Sequence, residues 1–405
     1  FNSNDYILFF TQGPDQYRFH PQKEIFEYEN NLYSDKNFYF LTVGSQPGKR
    51  IVTNENVTGS FPLVQQFDDF AYYETDRYNL LKSGRHWFGE QFDANLSATI
   101  RFTIPNIVAG SQMHLISHVM AQSTNPSSFS VSINNIPVLT QPIEAVPNTT
   151  YGIKGRIKAD TLIINATDVG AATGTNQEVR YQFTKGSSGL SIGYLDFFML
   201  TMKRNLVISS DQMIFRSAQS LQSSVSTFEI LAANSAYRVW NITNPDLVRD
   251  QTVTLESSRL RFSTDTQSLQ TFIVFNQANA KAPVFEGNVP NQNLHNLVAP
   301  ELLIITHPDF LTEASRLANH RTSHSNLTAA VVTTTQIFNE YGGGKQDVSA
   351  IRDFIRSLQK QNGSQLKNIL LFGRGSYDYK NRVLGNTNYV PIYESRNSLS
   401  PLETY

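Results

Sequence analysis

Between residues 301 and 379 the spacing of apolar side chains changes. A two-residue period gives way to short apolar runs that alternate with 3.6-residue patterns, and this switch limits the fold more than any other feature. Leu302, Leu303, Ile304 and Ile305 form a continuous apolar run closed by Thr306-His307-Pro308, the pattern of a strand buried on both faces. Phe310, Ala314, Leu317 and Ala318 then recur at helical spacing. Ala329 to Val332 is too short for a helix and ends in β-branched residues, so it reads as a second strand. Asp347 is placed to cap a helix on which Ile351, Phe354, Ile355 and Leu358 share one face, and Asn362-Gly363 stops it. Ile369 to Phe372 is the third strand, and Gly373-Arg374-Gly375-Ser376-Tyr377-Asp378 is the loop at its carboxyl end.

Strand, helix, strand, helix, strand predicts a parallel sheet, and ligands of such sheets bind in the crevice outside the carboxyl ends of the strands. The residues to weigh are therefore His307 and Asp309, the 333–347 connection with Tyr341 and Lys345, and the loop carrying Gly373, Arg374, Ser376 and Asp378.

These stretches also carry a likeness. LLIITHPDF, LANHR, VVTTTQIFNEYGGGKQDVSAIRDFIRSL, NILLFGRGSYDYKN and VPIYES resemble the start of the catalytic domain of the gingipain-like cysteine peptidases, peptidase family C25. Earlier stretches, NDYILFF, YSDKNFYFLTVG, SGRHWFGEQFD, YRVWNITNP and NQNLHNL, resemble the sortase-like branch of that family, which serves the type IX secretion system of Bacteroidetes. The matches run in the same order over nearly the whole chain.

Upstream of residue 290 the chain reads as β throughout. Ile100, Phe102 and Ile104 alternate with Thr99, Arg101 and Thr103, and the same alternation runs through Phe129, Val131 and Ile133 and through Val179, Tyr181 and Phe183. Strands with one wet face indicate an antiparallel sandwich, placed at residues 94–205, with the Gly/Ala/Thr-rich 167–176 stretch as a flexible hairpin connection. Residues 1–93 form an N-terminal β-region in which residues 6–10 and 38–41 are strand candidates. Residues 206–290 form a further β-region, and residues 291–405 form the first half of a caspase-like α/β domain, a name that rests on the resemblance. The β-region is expected to pack against the α/β unit.

Composition excludes several classes. Basic and acidic residues number 33 and 34, so a nucleic-acid binder held by phosphate contacts is not expected. Aromatic residues at 12% against charged ones at 17% suit a β-rich protein of the cell exterior or periplasm. The chain has no cysteine, which removes disulfides, thiolate metal sites and a thiol nucleophile from these residues. No run of eighteen apolar residues occurs, so no helical membrane span is predicted. The chain opens at Phe1 without Met or a charged leader, as expected where a signal peptide was removed or the terminus trimmed.

The other constellations are weak. His114 and His118 lie four apart, but no Glu follows His114, so the metalloprotease pattern fails and no metal site is assigned. Residues 67–78 mix Asp68, Asp69, Glu74 and Asp76 with aromatics; a solvated face beside a packed one is the simpler reading than a cation or sugar site. Ser376 invites comparison with a nucleophile elbow, yet Arg374 and Asp378 stand where that motif needs glycines. Gly373 and Gly375 are read as permitting a tight turn and Asp378 as bracing the loop. Gly342-Gly343-Gly344-Lys345 lacks the Ser or Thr of a phosphate cradle and reads as a hinge.

What the resemblance implies is acyl transfer by a His and a Cys through a thioester. Those two residues are expected beyond Tyr405, so no catalytic residue is assigned in this segment, and the six cleft-lining candidates are His307, Tyr341, Gly373, Arg374, Ser376 and Asp378. In the family the strand-end loop usually reads G-D-G-S-Y-D, so Arg374 replaces an acid. The resemblance further implies cargo proteins with C-terminal signal domains, lipopolysaccharide as acceptor, an outer-membrane β-barrel partner with other attachment-complex subunits, and peripheral attachment at the cell surface. No cofactor is expected, though a structural cation such as calcium would be compatible. The competing reading is a catalytically inactive surface β-module that binds a glycan or protein partner.

Overall fold

The computed structural model describes residues 6–403; Asn4 and Asp5 of the NDYILFF stretch lie outside them. The first part of the chain supplies strands β1 (Gln16–His20), β2 (Ile25–Glu29), β3 (Val52–Asn54), β4 (Leu63–Val64), β5 (Gln66–Glu74) and β6 (Gln91–Phe92). Then come β7 (Ser97–Thr103), β8 (Gln112–Ser123), β9 (Ser127–Ile133), β10 (Ile136–Ile143), β11 (Arg156–Asn165), β12 (Asn176–Thr184) and β13 (Ser191–Asn205). These build an antiparallel sandwich: a sheet of order β10-β9-β12-β7 faces one of order β11-β8-β13-β5, with β6 added to β13. The alternation read from the sequence sets its core. Phe129, Val131, Ile133, Val179, Tyr181 and Phe183 interdigitate with Leu115, Val119, Leu195, Phe198 and Leu200. Gly193 belongs to this packing, because a Cβ there would stand 2.6 Å from the Phe129 ring and 2.7 Å from that of Phe183.

A second sandwich follows, from β14 (Gln212–Phe215), β15 (Val225–Leu231), β16 (Tyr237–Asn241), β17 (Arg249–Gln251), β18 (Thr254–Glu256), β19 (Arg259–Asp265) and β20 (Phe272–Asn276). Its sheets run β14-β20-β16-β17-β3 and β18-β19-β15-β4 around Phe215, Phe228, Phe262 and Phe272.

Residues 1–93 are thus shared out among neighbours. The chain β3 to β5 gives one strand to each sheet of the second sandwich and then one to the first. The β1–β2 hairpin lies on the outer face of the first sandwich, with Phe19, Phe26 and Tyr28 against Phe70, Tyr72 and Met199. Neither strand candidate there forms a ladder. Residues 6–10 lie flat across the second sandwich, where Leu8 and Phe10 pack on the cluster of Trp240, Ile273 and Phe275. A segment laid over side chains does not meet a free strand edge. Residues 38–41 are likewise unpaired, with Leu41 and its neighbours exposed. The 167–176 connection also differs from the flexible hairpin read from sequence. It carries β11 of one sheet to β12 of the other, and Val169 and Ala171 are buried in the core.

The α/β unit has β21 (Leu302–Thr306), α1 (Leu311–Ser325), β22 (Ala329–Thr333), α2 (Thr334–Tyr341), α3 (Val348–Gln359) and β23 (Asn368–Phe372), in a parallel sheet of order β22-β21-β23. Leu302 and Ile304 face Ala314 and Ala318 of α1. Leu303, Ile305 and Val332 face Ile337, Ile351, Phe354 and Leu358 of the other two helices. Asp347 caps α3 by accepting the Ser349 N–H at 2.6 Å, as its position predicted. Helix α2 was missing from the sequence reading, although Thr333 and Gln336 form a capping box at its start. On the edge strand β23, Ile369 and Leu371 remain 40% and 42% exposed.

Candidate functional site

The three parallel strands end level with one another, because Thr306 pairs with both Thr333 and Phe372. The Thr306 hydroxyl donates to the Phe372 carbonyl at 2.9 Å and ties the end of the central strand to that of the edge strand β23. In parallel sheets of this kind ligands bind beyond such a line.

The loop after β23 is laced from the residues that follow it. Tyr389 and Val390 both donate their N–H groups to the Arg374 carbonyl, at 3.1 and 3.2 Å. Asn388 accepts the Ser376 N–H through its side chain at 3.1 Å. Gly373 sits at φ +152°, and a Cβ there would lie 2.9 Å from Val390, so the tight approach read from the sequence is present. Asp378 is fully buried and braces the loop, its carboxylate accepting the Val383 N–H at 2.6 Å. The Arg374 guanidinium donates to the Gly385 carbonyl at 2.7 Å.

Of the six candidate residues, four, Gly373, Arg374, Ser376 and Asp378, therefore lie in one braced loop. His307 stands beside it, with its ring edge-on to Tyr389 at 5.2 Å and Nδ1 accepting the Asp309 N–H at 3.2 Å. Tyr341 is elsewhere: its hydroxyl meets Ser357 at 3.0 Å and His295 at 3.2 Å in the helix layer, and its ring packs on Phe354. Ser376 is buried, and its hydroxyl accepts the Asp378 N–H at 3.0 Å, so the oxygen is committed to a local turn. Gly343 and Gly344, at φ +58° and +83°, turn the chain from α2 to α3, and Lys345 donates to Asn37 at 3.2 Å. His118 stacks on Phe197 at 4.1 Å, and burial pulls both His114 and His118 down in pKa. Among the described residues no group of three or more His, Asp or Glu converges to hold a metal ion.

The sequence reading missed the wall that closes one side of this loop. Tyr377, between Ser376 and Asp378, stacks on Trp87 of the first sandwich at 5.5 Å and 15°. Arg382 lies 5.0 Å over the same indole and ion-pairs with Asp76. Lys380, with a side chain only 5% exposed, reaches Asp35 at 2.6 Å and Asn30 at 3.3 Å. Further on, Glu394 accepts the Gly84 N–H at 2.8 Å and Ser398 accepts the His86 N–H at 2.9 Å. Leu399 packs among Phe88, Met120 and Tyr194. The SGRHWFGEQFD and VPIYES stretches thus meet in space.

A polar cleft of about 330 Å³ lies at this junction, lined by Asp15, Tyr28, Glu74, Asp76, Lys380 and Arg382 among others. Burial pushes Glu74 up to about 7. Burial also raises Asp76, opposed by Arg382 and Lys380. At His86 burial pulls downward, but the 3.0 Å bond to Asp196 and the charges of Asp196, Glu74 and Asp76 more than offset it, and its pKa is raised.

Residues 295–405 match the sequence model of peptidase family C25. These residues contain the parallel unit and its strand-end loop. Over a much longer stretch, the chain shares its fold with the dimeric latent PorU of Porphyromonas gingivalis. The two superpose with a TM-score of 0.78 at 22% identity, over 97% of this chain and 39% of that one. The likeness read from the residues is borne out by both, and the chain spans about two fifths of the length of that solved structure. Two other solved structures give TM-scores of only 0.20 and 0.21. One is the insecticidal delta-endotoxin Cry8Ea1 of Bacillus thuringiensis, at 16% identity over 27% of this chain and 18% of that one. The other is a CBM36 carbohydrate-binding module in complex with calcium and xylotriose, at 13% identity over 34% and 99%. No curated protein sequence matches.

Proposed function

We propose that these residues are the amino-terminal part of a C25-type cysteine peptidase that works as a cell-surface sortase of a type IX secretion system. The observation that carries this reading is a C25 match lying on a parallel sheet whose edge strand bares Ile369 and Leu371 on one side. Such an edge calls for further strands and helices, and the reacting His and Cys belong there. This segment has no cysteine and no thiol nucleophile of its own.

In the whole protein a thiolate would attack the carbonyl that joins a cargo protein to its C-terminal signal domain. The signal domain leaves with the amine, and an amine of anionic lipopolysaccharide then displaces the thiol from the thioester. The segment's own share is to set the floor of the crevice. The braced loop of Gly373, Arg374, Ser376 and Asp378 and the nearby His307 lie at the strand ends, and Trp87 and Tyr377 hold the loop from the β side. Partners in this reading are a PorV-like outer-membrane β-barrel protein and other attachment-complex subunits, with the protein attached peripherally to the outer membrane.

The test is expression of the complete reading frame followed by thiol alkylation and cargo processing. The expected result is one alkylated cysteine downstream of Tyr405 whose replacement by Ala leaves cargo with its signal domain attached. A complete product of only 45.6 kDa, the mass of these residues, would overturn the reading in favour of an inactive binding module.

A further inference from the structure

We propose that residues 39–50, with Val284 and Phe285 beside them, are a contact site for an anionic lipid surface, into which the apolar side chains dip while Lys49 and Arg50 meet the phosphates. The inference goes beyond the attachment given above, where a barrel protein is the partner, and it does not rest on the peptidase reading.

Every residue from Tyr39 to Arg50 is exposed, and the segment joins no strand. It is nonetheless held at both ends. Before it, Phe38 lies so close to Gly344 that a Cβ on that glycine would stand 2.9 Å away, and the Tyr39 hydroxyl donates to the Gln12 carbonyl at 3.1 Å. After it, Ile51 packs on the cluster of Trp240, Ile273 and Phe275. Between these anchors Phe40, Leu41 and Val43 are 51%, 87% and 99% exposed. A second strip, Val284 and Phe285 at 82% and 80%, is tied to the first by the 2.6 Å ion pair of Lys36 with Glu286. Phe9 makes another tie, since its ring is 6.4 Å from that of Tyr39 and it shares a groove with Lys281 and Pro283. Apolar side chains grouped in water at an anchored place mark an interaction site.

Charge gives the chemistry of the occupant. Residues 36–50 and 281–286 hold four basic groups, Lys36, Lys49, Arg50 and Lys281, and one acid, Glu286, which Lys36 takes. Lys49 donates to the Asp246 carbonyl at 2.7 Å, and Arg50 to the carbonyls of Gly48 and Lys49 at 3.1 and 3.4 Å. Among the described residues Lys49, Arg50 and Lys281 form no ion pair, so their charge is open to an anionic surface. Shape selects lipid over protein. The apolar side chains stand out from a loop, which suits a fluid interface, whereas a protein partner needs a packed and complementary face. Tyr39 and Phe40 at the base of the loop are the residue types that settle at the level of lipid headgroups.

The test uses the product of the complete reading frame and, beside it, the 405-residue chain, with vesicles of phosphatidylcholine alone or mixed equally with phosphatidylglycerol. Both proteins should co-sediment with the mixed vesicles only. Leu41→Asp/Val43→Asp should weaken this binding by about tenfold or more, and Lys49→Gln/Arg50→Gln by about thirtyfold. All four positions are exposed, so neither variant unfolds a sandwich. In Leu41→Trp the added indole should shift its emission to the blue on the mixed vesicles and be quenched by brominated lipid, against Trp87 and Trp240, which are buried. Equal binding to the two kinds of vesicle, variants that bind as the parent does, or binding by the 405-residue chain but not by the complete product would each overturn the proposal. So would self-association without lipid that Leu41→Asp/Val43→Asp abolishes, which would give the patch to a second copy of the chain.

Discussion

Arg382 is one of the residues that hold the braced loop against the first sandwich, and its removal gives a calculable loss. Its guanidinium pairs with Asp76, and the two side chains are 19% and 14% exposed. Deleting one member of a mostly buried pair costs about 3 kcal/mol, because the remaining charge is left without compensation. Loss of the cation over the Trp87 ring adds about 1 kcal/mol. Against this, Asn30 still reaches Asp76 at 3.4 Å and the Lys380 charge still acts on it, which recovers part. The expected effect of Arg382→Met is therefore about 3 kcal/mol on opening of the 377–390 segment, or roughly a hundredfold faster exchange at its protected amides. Val383, whose N–H is held by Asp378, and Val390, whose N–H is held by Arg374, report it directly. Adding Asp76→Asn removes the uncompensated charge and should restore about 2 kcal/mol. If the single and double variants exchange alike, or the single variant changes exchange by less than about threefold, the pair does not hold the loop and the argument fails.

Glu74 should make stability pH-dependent. Its carboxyl is held at about 7 against an ordinary 4.5, so the fold binds this proton where the unfolded chain has lost it. Stability then declines as pH rises from about 4.5 to 7, and Glu74→Gln should flatten that slope in denaturant titrations, gaining about 2 kcal/mol at pH 8. Gly193→Ala places a methyl group against two phenylalanine rings and should lower the stability of the first sandwich by about 2 kcal/mol, seen as a lower Tm. Asp347→Ala removes the cap on the Ser349 N–H and should cost about 1 kcal/mol in local exchange at the start of α3.

What was legible in the chain was whatever a local period carries. The alternations of Ile100, Phe129 and Val179 and the apolar run at Leu302 each named their buried face correctly, because burial repeats with the pitch of the element. The braced loop was legible for a similar reason, since Gly373 and Asp378 act on near neighbours. Contacts distant in sequence left no such trace. Asp76 and Arg382 are 306 positions apart, and nothing in either neighbourhood marks the other. The same holds for residues 6–10: their apolar composition suits a strand, but they lie across side chains of the second sandwich, which a period cannot reveal. Tyr341 was misjudged because the 333–347 stretch was read as one connection; with α2 in place its ring belongs between helices.

The β-region therefore does more than stand beside the α/β unit. Leu399 is 6% exposed inside a cluster whose other members, Phe88, Met120 and Tyr194, belong to the first sandwich, and Lys154 donates its N–H to the Leu399 carbonyl at 2.8 Å. A fragment cut before the α/β unit would leave that cluster facing water, and one cut after the sandwich would leave Tyr377, Lys380 and Arg382 without Trp87, Asp35 and Asp76. Burial on both sides of one junction couples the stability of the two parts. The position of the strand-end loop is consequently a property of the joined structure, and substitutions at Trp87 or Asp76, far from the parallel sheet in sequence, belong among those that set the shape of the crevice.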